Sequence, residues 1–115
     1  MLSFLTRGRV FLATSPADMR RSIDGLAGLV RSGLAEDPLS GDLFAFTNRR
    51  RDRIKILLWD RSGFWVLYKR LEKGTFAWPN GATDRTMLSL EDLALLLEGI
   101  ELSGVRRRKW YSVAA

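Results

Sequence analysis

In two neighbouring stretches of the chain apolar positions predominate and a few cations stand among them, a composition typical of β-strands. The two stretches run from Ile54 to Asp60 and from Phe64 to Leu71, and both are rich in β-branched and aromatic residues. The intervening residues Asp60-Arg61-Ser62-Gly63 favour a turn, because Gly63 can adopt a positive φ angle. The pattern predicts a β-hairpin with these facing residues: Trp59 and Phe64, Leu58 and Trp65, Ile56 and Leu67, Ile54 and Lys69.

The period of two gives this hairpin two different faces. One is apolar, and we interpret it as a core face; its members are Ile54, Ile56, Leu58, Trp65 and Leu67. The other mixes rings with cations; its members are Lys55, Leu57, Trp59, Phe64, Val66, Tyr68 and Arg70. Two interpretations of the mixed face stay open. Either a helix covers its apolar half while Lys55 and Arg70 reach water along their aliphatic stems, or the face contacts nucleic acid.

The remaining pattern predicts two helices and further strands. A strand is expected from Val10 to Thr14, followed by an amphipathic helix with Ser15 as N-cap and Pro16 at its first position. The apolar stripe of that helix comprises Met19, Ile23, Leu26, Ala27, Val30 and Leu34. Strands are also expected from Leu43 to Phe46 and from Thr75 to Trp78. A second helix is capped by Ser89, and its apolar stripe comprises Leu93, Leu96, Leu97 and Ile100.

These elements predict the α+β fold class and one domain over residues 1–104. Its sheet is an antiparallel β-meander of about four to five strands, packed with the N-terminal amphipathic helix and the short C-terminal helix. Residues 105–115 form a basic tail, and two interpretations of it stay open: a flexible segment, or an arm that binds nucleic acid. Edge strands of a meander can pair between subunits, so a homodimer is possible.

Composition narrows the chemistry. The 115 residues include no Cys and no His, which excludes disulfides, the usual zinc sites, a thiol nucleophile and imidazole catalysis. We expect no cofactor, no metal site and no catalytic residue. The chain has neither a long apolar run nor a signal-peptide pattern, so we expect a cytoplasmic protein that does not contact membranes.

Positive charge points to an acidic partner. The net charge is +6, and Arg outnumbers Lys by 15 to 4, which favours phosphate groups because the planar guanidinium binds them bidentately. Two clusters stand out, the arginine-rich turn at residues 48–53 and the tail. Candidate nucleic-acid-binding residues are Arg49, Arg50, Arg51, Arg53, Lys55, Tyr68, Arg70, Arg106, Arg107, Arg108, Lys109 and Trp110. The alternative is that both clusters are merely solvated.

Several segments resemble the TnpB-type accessory proteins of bacterial insertion sequences of the sixty-six group. They are residues 14–30, 37–44, 48–71, 72–79 and 95–100, and they span most of the chain. The resemblance implies a role in transposition beside two other proteins of the same element. One is a separate, larger transposase that carries the catalytic carboxylates, and the other is a second small protein. The resemblance supplies no catalytic residues. Leu58 stands where some members have Tyr, and Arg61-Ser62 makes the turn more basic than usual.

Three functional hypotheses follow. The leading one is a non-enzymatic DNA-binding accessory protein that acts on the ends of its own mobile element. The alternative is an adaptor that docks the transposase through Trp59, Phe64 and Tyr68, because aromatic residues are frequent interface anchors. A metal nuclease is the least favoured, since each candidate carboxylate has a sufficient structural role; the candidates are Asp18, Asp24, Asp52 and Asp60.

Overall fold

The computed structural model describes residues 8–81 and 83–99, which form an α+β fold. In chain order the elements are β1 (Val10–Ala13), α1 (Ile23–Gly33), β2 (Leu43–Thr47), β3 (Arg53–Trp59), β4 (Phe64–Arg70), β5 (Arg85–Leu88) and α2 (Leu90–Leu97). The strands build a single sheet in the order β4-β3-β2-β1-β5. No helix among these residues is long and apolar enough to cross a membrane.

The sheet is mixed, so the prediction of an all-antiparallel meander is wrong. Strands β1 and β2 are parallel, with Phe11 beside Phe44, whereas the other three pairings are antiparallel. The physical reason is the connection between them: α1 carries the chain back across the sheet, so β2 starts at the same end as β1.

The segment from Thr75 to Trp78 is not a strand, and that prediction is also wrong. The fifth strand is β5, which pairs with β1 at the far edge of the sheet. Phe76 and Trp78 are nevertheless buried, and the Trp78 indole donates to the Ala13 carbonyl at 2.8 Å. The segment from Thr75 to Trp78 therefore has irregular backbone and does not extend the sheet. Its Phe76 and Trp78 rings pack on one face of the sheet.

The β3–β4 hairpin has the predicted register, with Trp59 opposite Phe64 and Ile54 opposite Lys69. Its turn differs in one respect, because the residue with positive φ is Arg61, at 85°, and not Gly63. The Asp60 carboxylate accepts the backbone N–H groups of Ser62 and Gly63 at 3.1 and 3.0 Å, which holds the turn in this conformation.

Two layers cover the sheet, one on each face. Helix α1 packs on the face that includes Phe11, Phe44 and Leu57. Helix α2 and the segment around Phe76 pack on the opposite face. Leu57 is fully buried, so α1 does cover part of the mixed hairpin face. The prediction that Trp65 and Leu67 are core residues is wrong, because β4 lies at the sheet edge; they are 47% and 40% exposed.

The two helix caps have different outcomes. The Ser89 hydroxyl accepts the Asp92 N–H at 3.0 Å, which confirms the predicted cap of α2. The predicted cap at Ser15 is wrong, because α1 begins at Ile23 after Ser22. The chain before α1 is held differently: the Ala17 N–H donates to the Thr47 carbonyl at 2.8 Å, and Asp18 forms an ion pair with Arg20 at 2.7 Å.

Arg85 connects β5 to α1. Its guanidinium lies 5.4 Å from the centroid of the Phe11 ring and forms a 2.8 Å ion pair with Glu36. It also donates to the Leu34 carbonyl at the end of α1. These three contacts give Arg85 a structural role at the junction of β5 with α1.

Asp42 fastens the start of β2 to the start of β1. Its buried carboxylate forms a 2.9 Å ion pair with the Arg9 guanidinium, and it also accepts the Arg9 N–H at 2.9 Å and the Ser40 hydroxyl at 3.0 Å. Burial by itself raises the pKa of Asp42, but the hydrogen bonds from Arg9 and Ser40 outweigh it, so the pKa lies below its ordinary value.

We therefore expect Asp42→Asn to lower the free energy of unfolding at pH 7 by about 1.5–3 kcal/mol, the usual range for hydrogen bonds to a charged group. The folded-state pKa is depressed, so this stabilisation is present above the unfolded-state pKa of about 4 and is lost as the pH falls through the folded-state value. Urea denaturation at pH 7 and at about pH 2 should show the difference between variant and wild type shrinking.

The matched control for this experiment is Asp37→Asn. Asp37 is exposed and accepts the Leu39 N–H at 2.9 Å, a bond that an Asn side chain keeps. We expect little change from it at either pH. An Asp42→Asn deficit of the same size at both pH values would contradict the assignment.

Candidate nucleic-acid interface

The arginine turn, residues 48–53, is organised around the side chain of Asn48. Its Oδ1 accepts the backbone N–H groups of Asp52 and Arg53, both at 3.1 Å, and its amide donates to the Asp52 carboxylate at 2.7 Å. Arg51 takes a positive φ of 61°, which allows the chain to reverse within this short loop. One polar side chain thus fixes the backbone of the whole turn.

Neighbouring segments hold the same turn from outside. The Arg51 carbonyl accepts the Phe76 N–H at 2.7 Å, and the Asp52 carbonyl accepts the Leu71 N–H at 2.8 Å. The Thr47 hydroxyl donates to the Arg53 carbonyl at 2.8 Å. Because these bonds come from three different segments, the arginine turn is a preorganised part of the fold.

Arg49 and Arg50 project from the end of this turn. Both are exposed, and neither forms a hydrogen bond or ion pair with any residue that the structure describes. They border a shallow depression of about 320 Å³ whose lining comprises Ala17, Asp18, Met19, Asn48, Arg49, Arg50, Asp52 and Arg53. The guanidinium groups therefore face solvent beside a concave surface.

Two carboxylates in this lining temper its positive charge. The hydrogen bond from Asn48 is the main reason that the pKa of Asp52 is lowered, and the positive charges of Arg50 and Arg53 act in the same direction. Hydrogen bonds from Arg20 lower the pKa of Asp18 to about 2. Both carboxylates are therefore ionised at neutral pH, and Asp18 also holds the Arg20 guanidinium by an ion pair at 2.7 Å.

Next to the turn, the basic hairpin face comprises Arg53, Lys55, Tyr68 and Arg70. Arg53 donates to the Tyr68 hydroxyl at 3.1 Å, and the Lys55 ammonium lies 5.1 Å from the centre of the Tyr68 ring. Lys55 also donates to the Arg21 carbonyl at 2.8 Å, and Arg70 is paired with Glu72 at 2.8 Å. Tyr68 is 51% exposed, so its ring is an accessible aromatic surface between two cations.

The structure brings together some of the predicted residues and separates another. Arg53 lines the depression and also contacts Tyr68, so it joins the end of the turn to the basic hairpin face. Arg51 instead donates to the Asn80 side chain at 3.4 Å. Asn80 follows the segment around Phe76 and Trp78, which packs on the other face of the sheet, together with α2. The predicted tail residues lie outside the described part of the chain; they are Arg106, Arg107, Arg108, Lys109 and Trp110.

Two features of the site were not predicted from the sequence. The role of Asn48 was missed, although an Asn at the start of a polar loop is a known turn signal. The position of the Asp18–Arg20 pair beside the arginine turn was also not predicted. The Ala17–Thr47 hydrogen bond brings the pair there, and it joins residues that are far apart in sequence.

Two of the four candidate carboxylates of the nuclease hypothesis, Asp18 and Asp52, line the same depression, whereas Asp24 and Asp60 do not. Among residues 8–81 and 83–99, no three acidic side chains lie close enough together to hold a metal ion. The Asp60 carboxylate accepts hydrogen bonds from the backbone of its own turn and from the Trp65 indole, the latter at 2.7 Å. That indole hydrogen bond is the main cause of the lowered pKa of Asp60.

Two proteins of Sinorhizobium fredii (strain NBRC 101917 / NGR234) are similar to the chain. The one named uncharacterized protein y4jC is 39% identical over 100 residues, which cover 87% of this chain and 86% of the relative. Uncharacterized protein y4hO is 37% identical over 93 residues, 81% of each chain. No solved structure matches.

The family described as IS66 Orf2 like protein matches residues 8–107, which include both helices, all five strands and the arginine turn. That match spans well over half of the sequence. The chain therefore belongs to the IS66 Orf2-like family, whose role in transposition is an accessory one.

Proposed function

We propose that this protein is a non-enzymatic accessory factor that binds DNA at the ends of its own mobile element. The observation that carries the proposal is the pair of exposed guanidinium groups of Arg49 and Arg50 on a turn with a fixed backbone. An arginine without a protein partner keeps its five N–H donors for phosphate oxygens, which it binds bidentately.

The fixed backbone favours binding. Association costs free energy when loops and side chains become ordered, and a turn that is already held by Asn48 avoids most of the backbone part of that cost. The family's role in transposition favours DNA over other acidic partners.

The basic hairpin face extends the proposed contact beyond the turn. Lys55 and Arg53 add positive charge around Tyr68, whose exposed ring can pack against a sugar or an unstacked base. Arg70 contributes less, because Glu72 neutralises it. The tail residues Arg106 to Trp110 would add a second group of phosphate contacts.

Removal of Arg49 and Arg50 tests the proposal directly. We expect the double variant Arg49→Ala/Arg50→Ala to bind a duplex of the element end more weakly and to reduce the log–log salt slope by about 1.8, since each phosphate contact contributes about 0.9. Fluorescence anisotropy at several salt concentrations measures both quantities. An unrelated duplex of equal length reports how much of the binding depends on sequence.

The matched control removes two positive charges elsewhere. Arg31→Ala changes the last turn of α1, and Arg61→Gly changes the turn at the other end of the hairpin, where glycine suits the φ of 85°. This control has the same net charge as the test variant. If it weakens binding as much as the test variant does, the effect is one of net charge and the arginine turn is not the binding element.

Asn48 supplies an independent test, because its substitution leaves the charge unchanged. In Asn48→Ala the N–H groups of Asp52 and Arg53 lose their acceptor, and we expect affinity to fall by roughly tenfold, which corresponds to about 1.4 kcal/mol. Hydrogen exchange at these two amides should accelerate in parallel. Asn80→Ala is the control; unchanged affinity together with faster exchange in Asn48→Ala would show that a fixed turn is not needed.

The second candidate function is that of an adaptor for the transposase. The exposed ring of Tyr68 favours it, whereas Trp59 and Phe64 are half-buried and pack against each other at 5.0 Å. Tagged protein should then retain the transposase from an extract treated with nuclease, and Tyr68→Ala should reduce the retained amount. Loss of the association on nuclease treatment alone would count against the adaptor.

A further inference from the structure

Strand β4 forms one edge of the sheet and carries three large exposed side chains, Trp65, Leu67 and Tyr68. Their exposed fractions are 47%, 40% and 51%. No strand among residues 8–81 and 83–99 pairs with this edge. A sheet edge that combines unpaired backbone groups with apolar side chains is a template for another strand. The question is which strand fits it.

The hydrogen bonds at both ends of the hairpin show which backbone groups are available. The Asp60 N–H donates to the Gly63 carbonyl, and the Leu71 N–H donates to the Asp52 carbonyl, at 3.1 and 2.8 Å. Hydrogen-bonded pairs alternate along an antiparallel ladder, so the odd-numbered residues of β4 bond to β3. The even-numbered residues therefore direct their N–H and C=O groups outward; they are Phe64, Val66, Tyr68 and Arg70.

We propose that β4 pairs with β4 of a second copy of this chain, antiparallel, about a two-fold axis that passes beside Leu67. In this register all seven residues of each strand are paired, and the four outward residues of each copy face one another. Four hydrogen-bonded pairs with two bonds each give about eight backbone hydrogen bonds across the interface. The two sheets become one continuous sheet.

The side chains of β4 are complementary to themselves in this register. Trp65 lies opposite Lys69 of the second copy, and Phe64 lies opposite Arg70, so that every cation faces a ring. Leu67 faces its own equivalent. No two like charges are opposed, which would be destabilising. An axis beside Val66 or Tyr68 would leave two residues of each strand unpaired and would remove these ring–cation pairs.

The Lys69 ammonium donates to the Leu97 carbonyl of α2 at 2.6 Å, so the cation that would lie opposite Trp65 of the second copy is held in place within each copy. One pair of seven-residue strands is a small interface, so the association is weak, with a dissociation constant in the micromolar range. Each copy carries a net charge of +6, and the mutual repulsion is screened by salt. Salt should strengthen the dimer, whereas it weakens DNA binding.

Sedimentation of the full chain without DNA, from about 1 to about 200 µM, measures the association. We expect a monomer–dimer equilibrium that Leu67→Arg shifts to at least tenfold higher concentration, since it places like charges across the axis. Met87→Arg is the matched control on the opposite edge strand, where Met87 is 57% exposed. A monomer over the whole range, as expected if residues 100–115 of the same chain cover this edge, overturns the proposal. Loss of the dimer in Met87→Arg overturns it as well.

The register has its own test, because the chain contains no cysteine. In Leu67→Cys the two Cα atoms would lie about 4.5 Å apart in a non-hydrogen-bonded pair, which suits a disulfide. We expect rapid formation of a covalent dimer on mild oxidation. In Trp65→Cys and Lys69→Cys the equivalent residues would lie about 13 Å apart, and cross-linking should be slow. Equal rates in the three variants would overturn the register. Neither outcome depends on whether the protein binds DNA.

Discussion

The burial of the two central strands on both faces determines the rest of this structure. Every residue of β1 and β2 is buried, and among them only Thr47, the last residue of β2, is polar. Such strands need a covering layer on each side. Helix α1 supplies one, and α2 with the segment around Phe76 supplies the other. The same layers bury Ile54, Ile56, Leu57 and Leu58 of β3. Strand β4 lies at the sheet edge, and Arg49 and Arg50 lie at the end of the arginine turn, so these parts stay exposed. Both proposed binding surfaces lie in those exposed parts.

The sequence predicts those parts of the fold in which local pattern and tertiary structure agree. The hairpin register follows from two runs rich in β-branched and aromatic residues and from the four-residue turn between them, and the Ser89 cap follows from local hydrogen bonding. The parallel pairing of β1 and β2 could not be predicted, since an entirely apolar run does not indicate which strand lies beside it or in which direction. Strand β5 was missed because Arg85 and Thr86 interrupt any apolar pattern, and Arg85 packs on Phe11 in spite of its charge.

For the candidate site, composition identified the arginines but not how they are arranged. Arg49, Arg50 and Arg53 do lie around one depression. Arg51 was grouped with them by its position in the sequence, yet its positive φ turns its side chain toward Asn80. Sequence spacing cannot show that difference, because it depends on the backbone conformation that the Asn48 side chain selects.

Arg85 stabilises the fold, in contrast to the exposed arginines of the proposed binding surface. Its partly buried contacts with Phe11, Glu36 and the end of α1 are shielded from solvent ions, so salt weakens them far less than it weakens contacts between exposed charges and phosphate. High ionic strength should therefore weaken the proposed DNA contacts and leave the junction of β5 with α1 intact. Concentrated salt is thus compatible with the folded protein even where it disfavours the proposed DNA contact.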